Sequence, residues 1–168
     1  MTIENVPVKG LSSKEYEKAL KVEWQPDLQY AWDDGIAIGR YLRSLKEGKI
    51  LASTCNECGR IMLPARSFCE LCFRPVDDWV PVKDTGIVNT FSICHVNWDA
   101  SRLKPNEPRH LPAVIEIDGA SKGMGIMHLL GNVDPKKIKI GMRVKAVWKP
   151  KNQRQGSITD IRFFEPIK

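Results

Sequence analysis

Five cysteines carry the most specific chemistry in this 168-residue sequence. Four of them, Cys55, Cys58, Cys69 and Cys72, form a C-x2-C-x10-C-x2-C pattern, and the fifth, Cys94, stands apart. Each pair can present two thiolates from a tight knuckle turn to one tetrahedral ion. Gly59, directly after the first pair, suits the positive φ of such a turn, and Phe73 occupies the matching place after the second. Four thiolates also suit iron, and a C-x-x-C pair can be a redox dithiol. A redox pair, however, stands singly beside a βαβ pattern rather than doubled. With all four sulfurs as ligands no position is left for water or substrate, so the expected ion is a structural zinc. A segment of about thirty residues buries too little apolar surface to fold alone, so metal binding becomes part of its folding free energy. An odd cysteine total without a secretion signal argues against a disulfide framework.

No catalytic constellation accompanies this site. Cys94 and His95 are adjacent, but consecutive strand residues point to opposite faces, so they form no nucleophile–base pair without a bulge. Cys94 is expected as a small buried apolar residue. His110 and His128 are isolated in sequence, with no second histidine or paired carboxylates at a useful spacing. No catalytic residue is assigned, and the chain is expected not to be an enzyme.

Three segments must position these groups: an N-terminal helical extension (1–48), a rubredoxin-like zinc ribbon (49–80) and a five-stranded OB-fold barrel (81–168). The fold class is therefore mainly β with an α-helical N-terminal extension. Ser12 and Glu15 make a capping box before a short polar helix over 14–23. A second helix is capped by Asp33 or Asp34, carries Ile38, Tyr41, Leu42 and Leu45 on one stripe, and stops at Gly48. Trp24 and Trp32 flank the linker between the helices and suit either a core or a docking surface for another protein. In the ribbon, Ile61-Met62-Leu63-Pro64 is expected as one arm of a hairpin. The barrel strands are read at 87–98, 112–117, 123–130, 142–148 and 157–165, with a short turn or helix beginning at Asp134. That count and order match an OB barrel, with an SH3-like barrel as the structural alternative.

The formal charge is +6, with a sequence pI near 9.1. Segments 1–48, 49–80 and 81–168 carry net −1, 0 and +7, so the question of an anionic partner belongs to the barrel alone. The first ten residues lack the apolar core of a signal peptide, and no apolar run reaches the ~18 residues of a membrane span. A cytoplasmic protein with no membrane partner is expected.

The segment Leu45-Lys-Glu-Gly-Lys-Ile-Leu51, the four-cysteine ribbon with Pro64-Ala-Arg66 between the pairs, and a barrel carrying Gly141-Met142-x-Val144 together resemble the zinc-ribbon plus OB-fold family associated with acyl-CoA thiolases. The resemblance spans residues 30–168. It implies a small non-catalytic scaffold that docks onto thiolase-fold acyl-CoA enzymes, most like the archaeal type joining acetoacetyl-CoA thiolase to hydroxymethylglutaryl-CoA synthase, with acyl-CoA as ligand of the barrel. Ala113 stands where many relatives carry an aromatic after the proline opening the second barrel strand.

OB ligands meet the face of strands 2 and 3 and the loops joining strands 1–2 and 4–5. Here the first loop contains Arg102, Lys104 and Arg109, and the second Lys149, Lys151 and Arg154, so these six are the expected acyl-CoA ligands, with arginine forks and lysine charges suited to coenzyme A phosphates. Arg143 and Lys145 share a strand face and fit either solvent or an acidic partner. The rival reading is a single-stranded nucleic-acid binder, for which Phe91, Trp98, Trp148, Phe163 and Phe164 are the candidate stacking rings.

Overall fold

A computed structural model of the chain describes residues 10–19, 29–97 and 99–167. They fall into two compact units, residues 1–32 and 33–168.

In the first unit, helix α1 (Ser13–Lys18) begins at the expected capping box. Glu15 N–H donates to Ser12 Oγ at 3.3 Å, and Ser12 N–H donates to the Glu15 carboxylate at 2.8 Å. None of its residues is buried. Its expected extension to residue 23, and Trp24, lie outside the described residues. Trp32 is 85% exposed, with the Tyr30 ring 6.1 Å away, so it is not a core residue of this unit.

The second unit opens with helix α2 (Gly35–Glu47). Asp33, not Asp34, supplies the side-chain cap, its Oδ1 accepting the Gly35 N–H at 2.5 Å. Gly48 adopts φ 79° and ends the helix with its N–H on Leu45 O, followed by Lys49 N–H on Ser44 O. The buried row is Ala37, Tyr41 and Leu45, an i, i+4 ridge. Ile38, expected on that face, is 41% exposed because the i+4 row runs through Ala37 instead.

Strand β1 (Ile50–Thr54) leads from the helix into the ribbon. It lies between β2 (Ile61–Met62) and β5 (Asp78–Val82) in an antiparallel sheet, and β3 (Phe68–Cys69) and β4 (Arg74–Pro75) form a separate small hairpin. The expected arm at 61–64 is thus only two residues long and pairs with β1, outside the interval between the cysteine pairs.

The barrel comprises β6 (Thr85–Phe91), β7 (Pro112–Ile117), β8 (Gly125–Leu129), β9 (Arg143–Trp148) and β10 (Ile161–Pro166), hydrogen-bonded in the order β10-β9-β6-β7-β8. The two edge strands approach where Leu130 bridges Phe164 in parallel and Gly131 N–H donates to Phe164 O at 2.9 Å. This is the OB order rather than an SH3-like one. Coiling brings β7 close to both neighbours: a β-carbon at Gly86 would collide with Glu116 O, and one at Gly125 with Ile115 O.

Two strand limits differ from expectation. The first barrel strand ends at Phe91 rather than residue 98: Ser92 and Cys94 still donate to Pro112 O and His110 O, but the next pair in that register would need Pro108, which has no N–H to donate. Beyond Cys94 the chain makes an excursion in which Val96 bridges Arg102. The last strand begins at Ile161, not 157, because Ser157 and Asp160 close a capping box around a 3-10 turn at Ile158–Asp160. The turn expected at Asp134 is present as a 3-10 turn, Pro135–Lys137.

Alternation along the strands points Val88, Ala113, Ile115, Ile117, Val144 and Phe164 inward. These join Tyr41 and Leu45 of α2 and Ile50, Met62 and Leu63 of the ribbon in one continuous core. No helix among the described residues is long and apolar enough to cross a membrane.

One ion pair ties the strands together: the Arg143 guanidinium holds the Asp118 carboxylate in a fork at 2.7 and 2.5 Å, and Thr85 Oγ1 donates to the same carboxylate. Arg143 thereby pulls the Asp118 carboxyl down to about 2 from 3.8. A carboxylate depressed in the folded state stabilises above its unfolded pKa, and that contribution disappears as pH falls through the folded value. Stability is therefore expected to fall between pH ~4 and ~2 through this group. Asp118→Asn should cost ~1 kcal/mol at neutral pH, since the pair is partly solvated, and flatten the acid limb of a urea-denaturation series.

Candidate metal centre and barrel ligand face

The four cysteines expected as ligands converge. Their sulfurs all lie within 4.8 Å of one another, and Cys58 Sγ is 3.7 Å from Cys69 Sγ. Tetrahedral metal–sulfur bonds of ~2.3 Å place ligand sulfurs about 3.8 Å apart, so the cluster has the dimensions of a four-thiolate site. The two knuckles are backbone copies of each other: Gly59 N–H donates to Cys55 O at 2.8 Å, and Phe73 N–H to Cys69 O at 2.9 Å. Gly59 has φ 70° and Phe73 φ 50°, so the phenylalanine adopts the left-handed turn that glycine takes with less strain. Its ring lies in the open, edge-on to Phe68 at 5.9 Å.

The electrostatics favour a cation at the centre. The Cys72 and Leu71 amides point at Cys69 and hold its thiol down to about 7. The sulfurs of Cys58, Cys55 and Cys69 crowd Cys72 and push it up to about 12. Four thiols at this spacing cannot all ionise without a positive charge among them. Outside the cluster, Glu70 receives Arg60 at 2.7 Å and Arg66 at 3.1 Å, which braces the second knuckle against the segments flanking it.

The six basic residues expected as one ligand set divide into separate places. Arg154 is occupied: its Nε donates to Lys149 O at 2.8 Å, its guanidinium lies 5.3 Å from the Trp148 ring centre, and it fills the space over Gly48. Arg109 donates to His95 Nδ1 at 2.7 Å, and lines a recess of about 320 Å³ with Ile93, His95 and Lys136. Arg102 and Lys104 are exposed on the excursion beyond Cys94. Lys149 and the exposed Lys151 remain beside the barrel, and Lys149 Nζ is 3.3 Å from Thr159 Oγ1.

The loop carrying them is held by a buried carboxylate. Asp160 has no exposed surface and accepts three backbone N–H groups, from Gln155 at 3.0 Å, Gly156 at 2.8 Å and Ser157 at 3.1 Å. Burial raises its pKa, but those donors outweigh the desolvation and hold it below the ordinary carboxylate range.

Lys149 opens onto the outer side of β7 and β8. There Pro112, Met127, Leu129, Ile158 and Ile161 line a groove of about 580 Å³, completed by His128, Lys149, Thr159 and Arg162. His128 Nδ1 accepts the Leu129 N–H at 2.9 Å, which leaves Nε2–H to donate to Ile158 O at 3.2 Å and fasten the loop to β8. A smaller recess of about 220 Å³ shares Pro112 and Met127 and adds Val114 and Phe91. Met127, Leu129 and Arg162 escaped the sequence reading. For the two apolar residues the signal was present: Pro112-Ala-Val-Ile115 and Ile126-Met127-x-Leu129 carry apolar residues at both parities, whereas a solvated sheet face alternates with polar residues.

Three of the five candidate stacking rings are spoken for: Phe164 is fully buried, Phe163 packs over Gly131, and Trp148 lies under Arg154; Phe91 lines the smaller recess, and Trp98 is outside the described residues. Cys94 is half-buried and His95 engages Arg109, and neither lies in regular strand.

Comparison with known proteins gives a consistent result. Residues 43–78 match the family model of the ChsH2 rubredoxin-like zinc ribbon domain, and residues 79–149 that of the ChsH2 C-terminal OB-fold domain. A DUF35 domain-containing scaffold protein of Methanocaldococcus jannaschii is 28% identical over 145 residues, covering 84% of this chain and 98% of the relative. A DUF35-family protein of unknown function from Sulfolobus solfataricus has a similar crystal structure, with TM-score 0.53 and 30% identity over 64% of this chain and 75% of that one. The Ltp2-ChsH2(DUF35) aldolase structure shares the fold, with TM-score 0.56 and 20% identity over 84% of this chain and 98% of the other.

A metal-loaded ribbon makes a direct prediction. Chelator treatment, or Cys55→Ser, should lower the melting temperature. Cys94→Ser should leave it unchanged, as read by circular dichroism with metal content measured in parallel.

Proposed function

The chain belongs to the DUF35 family of ChsH2-type zinc-ribbon and OB-fold proteins, and we propose that it is a non-catalytic scaffold subunit that binds acyl-CoA and docks onto thiolase-type enzymes, such as acetoacetyl-CoA thiolase and hydroxymethylglutaryl-CoA synthase. The four cysteines hold a structural zinc, which leaves no ligand position for chemistry. The scaffold role draws support from the name of the Methanocaldococcus relative and from the assembly of ChsH2 with Ltp2.

The observation that carries the ligand class is the character of the β7–β8 outer face. It is aliphatic, lined by Pro112, Val114, Met127 and Leu129, with Lys149 at hand for an anionic group. Binding of single-stranded nucleic acid needs aromatic rings for stacking, and among the described residues this face offers only the half-buried Phe91. An acyl thioester on a phosphorylated carrier fits both halves of the surface. Lys149 and Lys151 meet the phosphates, while Arg154 shapes their loop.

Exposed apolar side chains supply the docking elements: Tyr30 and Trp32 in the first unit, and Phe68, Leu71 and Phe73 around the second knuckle.

Two measurements test this reading. Calorimetric titration should show CoA esters binding, weakened about tenfold by Lys149→Ala with Lys151→Ala, a loss of ~1.4 kcal/mol. Tight, salt-sensitive binding of single-stranded oligonucleotides with no response to CoA would replace the ligand assignment. Affinity purification from native extract should recover an acyl-CoA enzyme of thiolase type, and recovery of the chain alone would refute the docking role.

A further inference from the structure

Strand alternation sends Val114 and Met127 outward as a cross-strand pair, with Pro112 and Leu129 outward beside them as the next pair. Met127 is 74% exposed and Leu129 39%. Elsewhere in the barrel the exposed strand positions are polar: Arg143 and Lys145 of β9, Asn89 and Thr90 of β6 and Arg162 of β10 are exposed, while the outward apolar residues Ile87 and Val147 are half-buried. Met127 and Leu129 are thus a local departure, apolar where the other exposed barrel-strand residues are polar, beside the turn at 158–160. The groove of about 580 Å³ and the recess of about 220 Å³ meet at Pro112 and Met127, so the apolar track runs from Lys149 and Arg162 at one part of its lining to Phe91 at another.

We propose that this track is an acyl-chain groove that selects chains of about eight carbons or more over acetyl and acetoacetyl groups, a volume class that accommodates drug-sized apolar ligands. This inference rests on the reading of the barrel as a CoA-ester site; it adds the identity of the acyl group and, with it, narrows the thiolase-type partner to one that handles longer acyl esters rather than acetoacetyl-CoA. Charge decides the occupant. A groove that is aliphatic along its length and flanked by Lys149 and Arg162 complements an anionic amphiphile, a hydrocarbon chain on a phosphorylated head. A two-carbon or four-carbon acyl group would leave Met127 and Leu129 as wet as they are without ligand and gain nothing from the track. Each further methylene laid along it removes apolar surface from water.

The experiment is calorimetric titration of the full chain with CoA, acetoacetyl-CoA and decanoyl-CoA below its micelle concentration, repeated with Met127→Glu. Met127 is exposed, so the variant should keep the wild-type melting temperature; Met127→Gln serves as the milder change. Decanoyl-CoA should bind about tenfold or more tighter than acetoacetyl-CoA, since each buried methylene contributes up to about fourfold. Met127→Glu should bring the two esters level. Equal wild-type affinity for all three ligands would overturn the groove and leave the CoA reading standing. Absence of binding by any of them would remove the CoA reading and the groove together. Sedimentation of the same samples adds a further outcome: a dimer dispersed by Met127→Glu would mean that a second copy of the chain covers the face, and would overturn the acyl assignment.

Discussion

Four sulfur atoms within 4.8 Å of one another set the condition on which the ribbon depends. The crowding that lifts Cys72 also means that an empty cluster cannot hold four thiolates together, while an ion turns the same spacing into four bonds. The ribbon sheet offers little else. Its second strand is two residues long, and its apolar side chains become a core only by joining those of α2 and the barrel. An ion bound by the four sulfurs would fix the knuckles, which flank β1, β2, β3 and β4, and β5 pairs with β1 and leads directly into the first barrel strand.

A second fixed point lies on the barrel. Asp160 gathers three amides into a closed turn and Arg154 bonds back to Lys149 O, so the loop between β9 and β10 holds its shape without help from a ligand. Preorganisation of this kind lowers the ordering cost of binding. It also explains why net charge is a poor guide to contact: of the three cations on that loop, the arginine is consumed internally, and only the lysines stay available.

Much of the fold was legible because its signals are local. The cysteine spacing, the Ser12–Glu15 cap, Gly48 at the end of α2 and the five apolar strand segments each state their own geometry. The misreadings came where partners decide. Whether 92–98 remains a strand depends on a facing segment interrupted by Pro108, and whether Ile38 or Ala37 turns inward depends on where β1 lies against the helix. The turn at 158–160 carries a local signal too, since Ser157-x-x-Asp160 repeats the capping pattern of Ser12 and Glu15. At the candidate site, the metal ligands could be read from spacing alone. The ligand face could not, because tallying charges in loops overlooks both an arginine that stacks on a tryptophan and an apolar face that takes its meaning from the strands beside it.

Arg154 lies over Gly48, and Gly156 packs against Leu42 O, so the loop after β9 is seated on the last turns of α2. A guanidinium at the carboxyl end of a helix meets the negative pole of its dipole. The helix end and the loop are therefore packed as one body although more than a hundred positions separate them along the chain. Their amides should exchange with solvent in one correlated event, and a body that grips α2 would slow the breathing of the barrel mouth without touching it.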